Sequence, residues 1–103
     1  MVISLLIASL AGAKLNVEYD IKEVARHKSL ITLSWNITVD SDKNWDACDL
    51  IISFRDSNGK EIYAIAEQLK LKIGPNSFTG HEICDISVWM CTKQFTAELD
   101  CVF

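Results

Sequence analysis

Four cysteines, two histidines and one run of oxygen-bearing side chains are the residues of this 103-residue chain whose types could do chemistry. Cys48, Cys84, Cys91 and Cys101 admit three disulfide connectivities if the chain meets an oxidising compartment, and are buried thiols if it does not. Cys48 and Cys101 fall on the apolar phase of two different strands described below, while Cys84 and Cys91 flank a short connection. The expected bridges are therefore Cys48–Cys101 and Cys84–Cys91. A metal reading takes His81, Cys84, Cys91 and Cys101 as one nitrogen and three sulfurs of a zinc tetrahedron. The paired C-x-x-C knuckles of structural zinc sites are missing, so bridges or plain burial take precedence, and no metal or other cofactor is expected.

Asp40, Asp42, Asn44 and Asp46 place oxygen ligands at alternate positions, as a calcium-binding EF-hand loop does. That loop needs glycine at its sixth position and glutamate at its twelfth, where this chain has Trp45 and Ile51. What remains is an acidic turn that interrupts itself with a tryptophan. An aromatic ring among polar loop residues is a candidate anchor for a protein or a sugar, so Trp45, Asp42, Asn44 and Asp46 are the expected binding residues; the competing reading folds Trp45 back onto the core. Catalysis by a Cys or Ser nucleophile needs a base nearby, and neither His27 nor His81 lies in a recognisable motif. With no C-x-x-C redox pair and no G-x-S-x-G elbow, the chain is not expected to be an enzyme. Asn36-Ile37-Thr38 is an N-glycosylation triplet on the outward phase of its strand, a pattern common by chance and of use only in a eukaryotic secretory pathway.

The elements that must hold these residues are strands. Leu15, Val17, Tyr19 and Ile21 alternate with polar neighbours, and Ile31, Leu33, Trp35, Ile37 and Val39 do so opposite Thr32, Ser34, Asn36 and Thr38. Cys48, Leu50, Ile52 and Phe54 share a phase, and Asp56-Ser57-Asn58-Gly59 turns the chain into a strand at Lys60 to Ala66. Further strands are expected over Gln68 to Ile73, Phe78 to Cys84 and Phe95 to Phe103. Asp85 to Cys91 reads equally as a strand end or one helical turn. Arg26-His27-Lys28 reads as a solvated turn. About seven short strands with turns every ten residues or so predict an all-β, immunoglobulin-like antiparallel two-sheet sandwich.

Composition narrows the class further. Half of the residues are hydrophobic and 23% are charged, the profile of a globular domain. A net charge of −4, with ten Lys and Arg dispersed among fourteen acids, argues against a nucleic-acid or anionic-membrane binder. Residues 1–13 carry no charge and end Ala11-Gly12-Ala13, an apolar run before an A-x-A cleavage site, although the basic opening of a signal peptide is missing. The expected organisation is a signal peptide over residues 1–13 and one sandwich domain over 14–103. The competing reading makes Val2 to Leu10 a buried strand. A run this short is not a stable membrane span.

Ile52-Ser53-Phe54-Arg55-Asp56, followed by Ser57-Asn58-Gly59-Lys60, resembles the signature of the FxLYD domains, small bacterial extracytoplasmic modules. Leu71-Lys72-Ile73-Gly74-Pro75-Asn76-Ser77-Phe78 is similar to that family's leucine, Pro/Gly turn and phenylalanine. Phe54 stands where the family's leucine is usual, and Arg55 where its tyrosine is. Ser29 to Trp35 is also similar to the tryptophan-bearing second strand of fibronectin type III domains. Both resemblances imply a sandwich and neither implies a catalytic residue. The function expected is a non-catalytic, extracytoplasmic module, bacterial on the resemblance, that binds or spaces another protein. A small secreted ligand-binding or inhibitor domain is the alternative.

Overall fold

The computed structural model describes residues 2–10 and 13–102, and for 2–10, 13, 14 and 102 the backbone course alone. Seven strands and one short helix follow in the order β1 (Val2–Leu10), β2 (Ala13–His27), β3 (Leu30–Ser41), β4 (Trp45–Arg55), β5 (Glu61–Leu71), β6 (Gly74–Asp85), α1 (Ile86–Cys91) and β7 (Gln94–Val102). One sheet has the order β1-β2-β3-β6 and the other β5-β4-β7, every neighbouring pair being antiparallel. The chain changes sheet between β3 and β4, between β5 and β6, and through α1. This is the expected immunoglobulin-like sandwich.

Alternation explains the two layers. Along β3, Ile31, Leu33, Trp35, Ile37 and Val39 are all buried while the residues between them are exposed or half-buried. Leu15, Val17, Tyr19 and Ile21 of β2 lie in the same buried phase, and Cys48, Leu50, Ile52 and Phe54 face them from β4. Burying one such aliphatic side chain is worth roughly 1.5–3 kcal/mol, so the inner phases hold the sheets together. Phe54 meets Tyr63 and Phe95 edge to face, at centroid distances of 5.2 and 4.9 Å, joining all three strands of the smaller sheet.

Some boundaries differ from the sequence reading, and one that it left open is decided. The two strands expected over Lys60 to Ala66 and Gln68 to Ile73 are one strand, β5, because Ala66 and Glu67 stay in register with Ile51 and Leu50 of β4. Arg26 and His27 belong to β2, paired with Ile31 and Leu30, and the chain reverses at Lys28, whose φ is 57°. Asp85-to-Cys91 resolves as a helix capped by Asp85, whose Oδ1 accepts from the Ser87 N–H at 2.9 Å. The Asp56-to-Lys60 turn forms as expected. Asp56 Oδ1 accepts from the N–H groups of Asn58 and Lys60, and Gly59 takes a φ of 80°.

Of the expected leader, Val2–Leu10 lies in the full chain as β1, opposite residues 13–21 of β2. The Ala11-Gly12 part of the cleavage site falls outside the described residues.

Gly80 has a packing duty rather than a turn. It pairs with Trp35 across β3 and β6, and a Cβ placed on it would lie 2.2 Å from the indole Cζ2 of Trp35. That ring is buried, being 4% exposed, so it has little open space into which to retreat. Gly80→Ala is expected to cost roughly 1–3 kcal/mol, the range for overpacking a filled core. Urea unfolding of the variant beside wild type checks it; equal midpoints would show that the ring can move aside.

Candidate functional site

Trp45 is not the exposed anchor that its polar neighbours suggest. It is the first residue of β4, pairs with Leu71 of β5, and is 2% exposed. Strand β4 starts three residues earlier than the apolar run at Cys48 implies, and an irregularity between Trp45 and Cys48 lets the ring turn inward ahead of the regular ladder. The Lys43 ammonium sits 5.3 Å from the ring centroid, giving the indole a cation–π neighbour at its rim. The rest of the acidic turn is tied down locally. Ser41 Oγ donates to the Lys43 carbonyl at 2.6 Å, and Asn44 Oδ1 accepts from the Ile73 N–H at 2.9 Å, joining this loop to the one between β5 and β6. Asp42, Asn44 and Asp46 are exposed, so they do not share a surface with the ring they were expected to flank.

The Cys48–Cys101 bridge is present. It joins directly opposed residues of β4 and β7, with Cα atoms 4.0 Å apart. The second expected bridge is not formed: Cys84 and Cys91 are free thiols. Cys84 turns into the core at the end of β6, whereas Cys91 ends α1 on the outside, so the helix between them sends the two sulfurs to different environments. His81 is exposed on the outer face of β6 while Cys84, an odd number of residues away, is buried on the inner one. Those two cannot share a metal ion, and Cys101 is already bonded. Among the described residues no group of three or more His, Cys, Asp or Glu is placed to hold one.

The two sheets are latched at one edge by Tyr63 of β5, whose hydroxyl donates to Glu82 Oε1 of β6 at 2.7 Å. Burial holds the Tyr63 phenol well above the ordinary tyrosine range, and the Glu82 carboxylate raises it further by favouring the protonated donor. Burial, then the Glu82 and Asp85 carboxylates, likewise push the Cys84 thiol up, which keeps it protonated and weakly nucleophilic. A phenol whose folded pKa exceeds its unfolded one stabilises the fold fully below the unfolded value. That contribution is lost as the pH rises above about 10, where the unfolded chain ionises first. Unfolding midpoints followed upward from pH 8 should therefore fall in wild type and fall less steeply in Tyr63→Phe; parallel curves would assign the alkaline loss to other groups.

No protein-family model, curated protein or solved structure matches this chain. Its surface must therefore be read from its own chemistry.

Two regions stand out, both on the outer face of the larger sheet. At the end next to α1, Val24, Leu30 and Ile83 of this sheet are between 46% and 66% exposed, and Met90 of α1 itself is 60% exposed. Leu30 and Ile83 are diagonal neighbours, since Leu30 pairs with Asp85 and Thr32 with Ile83; Ala25 also pairs with Thr32 and extends the row onto β2. The acids around this patch are engaged within the chain. Glu23 is bonded to Arg26, which draws its carboxyl below the usual range, and Asp85 caps α1, which lowers its own. Lys22, His27 and Lys28 remain exposed beside the aliphatic groups. Sequence reasoning passed over this patch, yet its signal was present: Val24-Ala25, Leu30-Ile31 and Ile83-Cys84 are doublets in which an apolar residue occupies the polar phase. At the other end lies a shallow groove of about 380 Å³ lined by Asn16, Glu18, Thr38, Asp40 and Pro75.

Proposed function

We propose that this chain is a non-catalytic extracytoplasmic module that binds or spaces another protein of a cell-envelope or secreted system. The observation that carries the binding part is the aliphatic patch of Val24, Leu30 and Ile83 with its Lys22, His27 and Lys28 rim. Exposed apolar side chains gathered on a rigid sheet and bordered by charge are the ordinary make-up of a protein-contact surface. The Cys48–Cys101 bridge supports the compartment, because such bonds persist where thiols are not kept reduced. The resemblance of Ile52 to Asp56 and Leu71 to Phe78 to FxLYD domains supports both parts.

On this reading residues 1–13 are a leader, and their removal takes β1 away, leaving β2-β3-β6 against β5-β4-β7. The exported chain then begins near Lys14, with two thiols alkylated before reduction and four after it. Mass measurement checks both, and an exported chain that retains Met1 would contradict the leader. For binding, a photo-crosslinking residue is placed at Leu30, at Ile83 and, as a control, at Asp49 on the outer face of the other sheet, in the cells that make the protein. The expected result is one shared adduct from the first two positions and none from the third. Uncrosslinked chain at all three would overturn the reading.

A further inference from the structure

We infer that the processed chain pairs with a second copy of itself, edge to edge along β2 and centred on Val17, into one continuous sheet of the order β6-β3-β2-β2-β3-β6. In the full chain that edge of β2 is taken by β1, whose nine residues run antiparallel to residues 13–21. Residues 13–21 of β2 are therefore able to accept an antiparallel strand. The inference rests on the leader reading above: removal of residues 1–13 vacates the edge and leaves the backbone N–H and C=O groups that β1 had paired without partners.

The vacated edge carries none of the devices that blunt one, which are proline, a bulge or an inward-pointing charge. From Lys14 to Asp20 there is no proline, and the irregularity of β2 lies further along, between Glu23 and Ala25. The inward phase is Leu15, Val17 and Tyr19, all buried with β1 in place, so loss of β1 uncovers apolar side chains along with unpaired backbone. The opposite edge of the same sheet is different. There β6 carries Pro75 and is latched to β5 through Glu82.

A second copy fits because β2 is self-complementary. A two-fold axis through Val17 sets Val17 opposite itself and Leu15 opposite the other copy's Tyr19 on the inner phase. On the outer phase Asn16 stands opposite Glu18, and Lys14 opposite Asp20, each pair occurring twice. No like charges meet. Moving the axis to Glu18 or to Asp20 sets that carboxylate against itself, and moving it to Tyr19 sets Glu18 against Asp20 twice. Opposite charges directly across two strands stabilise the pairing and like charges weaken it, so charge selects the Val17 register.

An axis normal to the sheet keeps the outer faces of both copies on one side. Leu30 pairs with His27, ten residues from Val17, so the Leu30 of each copy lies roughly 30 Å from the axis at strand rise. The dimer thus presents two aliphatic patches, both clear of its own interface.

Mass spectrometry and sedimentation equilibrium on chain purified from the cells that make it test the pairing. The expected result is a chain beginning near Lys14 in a particle of twice its mass. A chain that retains Met1 overturns the leader reading and the pairing with it, whereas a chain without residues 1–13 that sediments as a monomer overturns the pairing alone. The full chain, refolded under oxidising conditions with residues 1–13 intact, should stay monomeric because β1 holds the edge; a dimer there would place the contact elsewhere. Asp20→Lys sets like charges opposite Lys14 at two places and should weaken the dimer roughly tenfold or more. An undiminished dimer would rule out the Val17 register. In a Cys91→Ala background, processed Asn16→Cys and Glu18→Cys chains mixed under mild oxidation should bridge to each other faster than either bridges to itself, because directly opposed residues lie within disulfide reach. Equal rates would likewise overturn that register. All three substituted positions are on the outer phase of β2, and an unchanged Cys48–Cys101 bridge in each variant shows that folding is intact.

Discussion

Replacing Cys48 and Cys101 together by alanine is expected to lower the stability of the domain by about 4 kcal/mol, the loop-entropy value for a cross-link of this span. The two cysteines are 53 residues apart in sequence, so the bridge closes half the chain into one loop. A domain of this size has roughly 5–15 kcal/mol in total, and the bond therefore accounts for a large share of it. The bridge also pins β7, which has one neighbour in its sheet, to the central strand β4. Both cysteines are changed at once because a single substitution would leave a thiol half-buried or buried and confuse two effects. Urea unfolding with and without reductant provides the check. Reductant should shift wild type to the midpoint of the double variant and leave the variant unmoved. Cys91→Ala should change nothing, being an exposed free thiol. A double variant within about 1 kcal/mol of wild type would show that the unfolded chain is already compact without the bond.

Trp45→Ala carries the second large effect, about 3–5 kcal/mol, the cost of removing a large aromatic side chain from a filled core. The indole is 2% exposed and belongs to the same buried cluster as Cys48, Leu69 and Leu71. Trp45→Phe keeps an aromatic ring in the site and should cost distinctly less. Had the ring been a surface anchor, the alanine variant would fold normally and lose its partner. The structure predicts the reverse: once stability is restored, by lower temperature or a stabilising osmolyte, crosslinking through Leu30 and Ile83 should be unchanged. Normal stability with lost capture would return Trp45 to the binding surface. Trp45 and Cys48 are three residues apart on one strand, so the two losses should not be summed.

Much of the framework was legible in the residues. The alternation of Ile31 to Val39 places each side chain of β3 on its correct face, and Asp56-Ser57-Asn58-Gly59 forms the turn its types demand. Cys48 and Cys101 were paired on phase alone, since two inward residues on neighbouring strands can meet. Where local signals misled, a longer-range contact had outweighed them. Asp42 to Asp46 reads as a continuous polar loop, but the hydrophobic gain of burying the Trp45 indole extends β4 back into it. Ala66-Glu67-Gln68 looks like a break between strands, yet β4 runs alongside and carries β5 straight through.

Sequence by itself determined the fold class, the faces of the strands and one of the two expected bridges, because strand phase and turn chemistry are properties of neighbours along the chain. Tertiary structure alone decided which surface is free to act. Whether an apolar residue is core or contact depends on what the other sheet places against it. Trp45 found a partner layer there, whereas Leu30 and Ile83, on the outer face of the larger sheet, did not. The same distinction separated the cysteines: strand pairing brought Cys48 to Cys101, and the helix that closes the end of the sandwich left Cys84 inside and Cys91 outside.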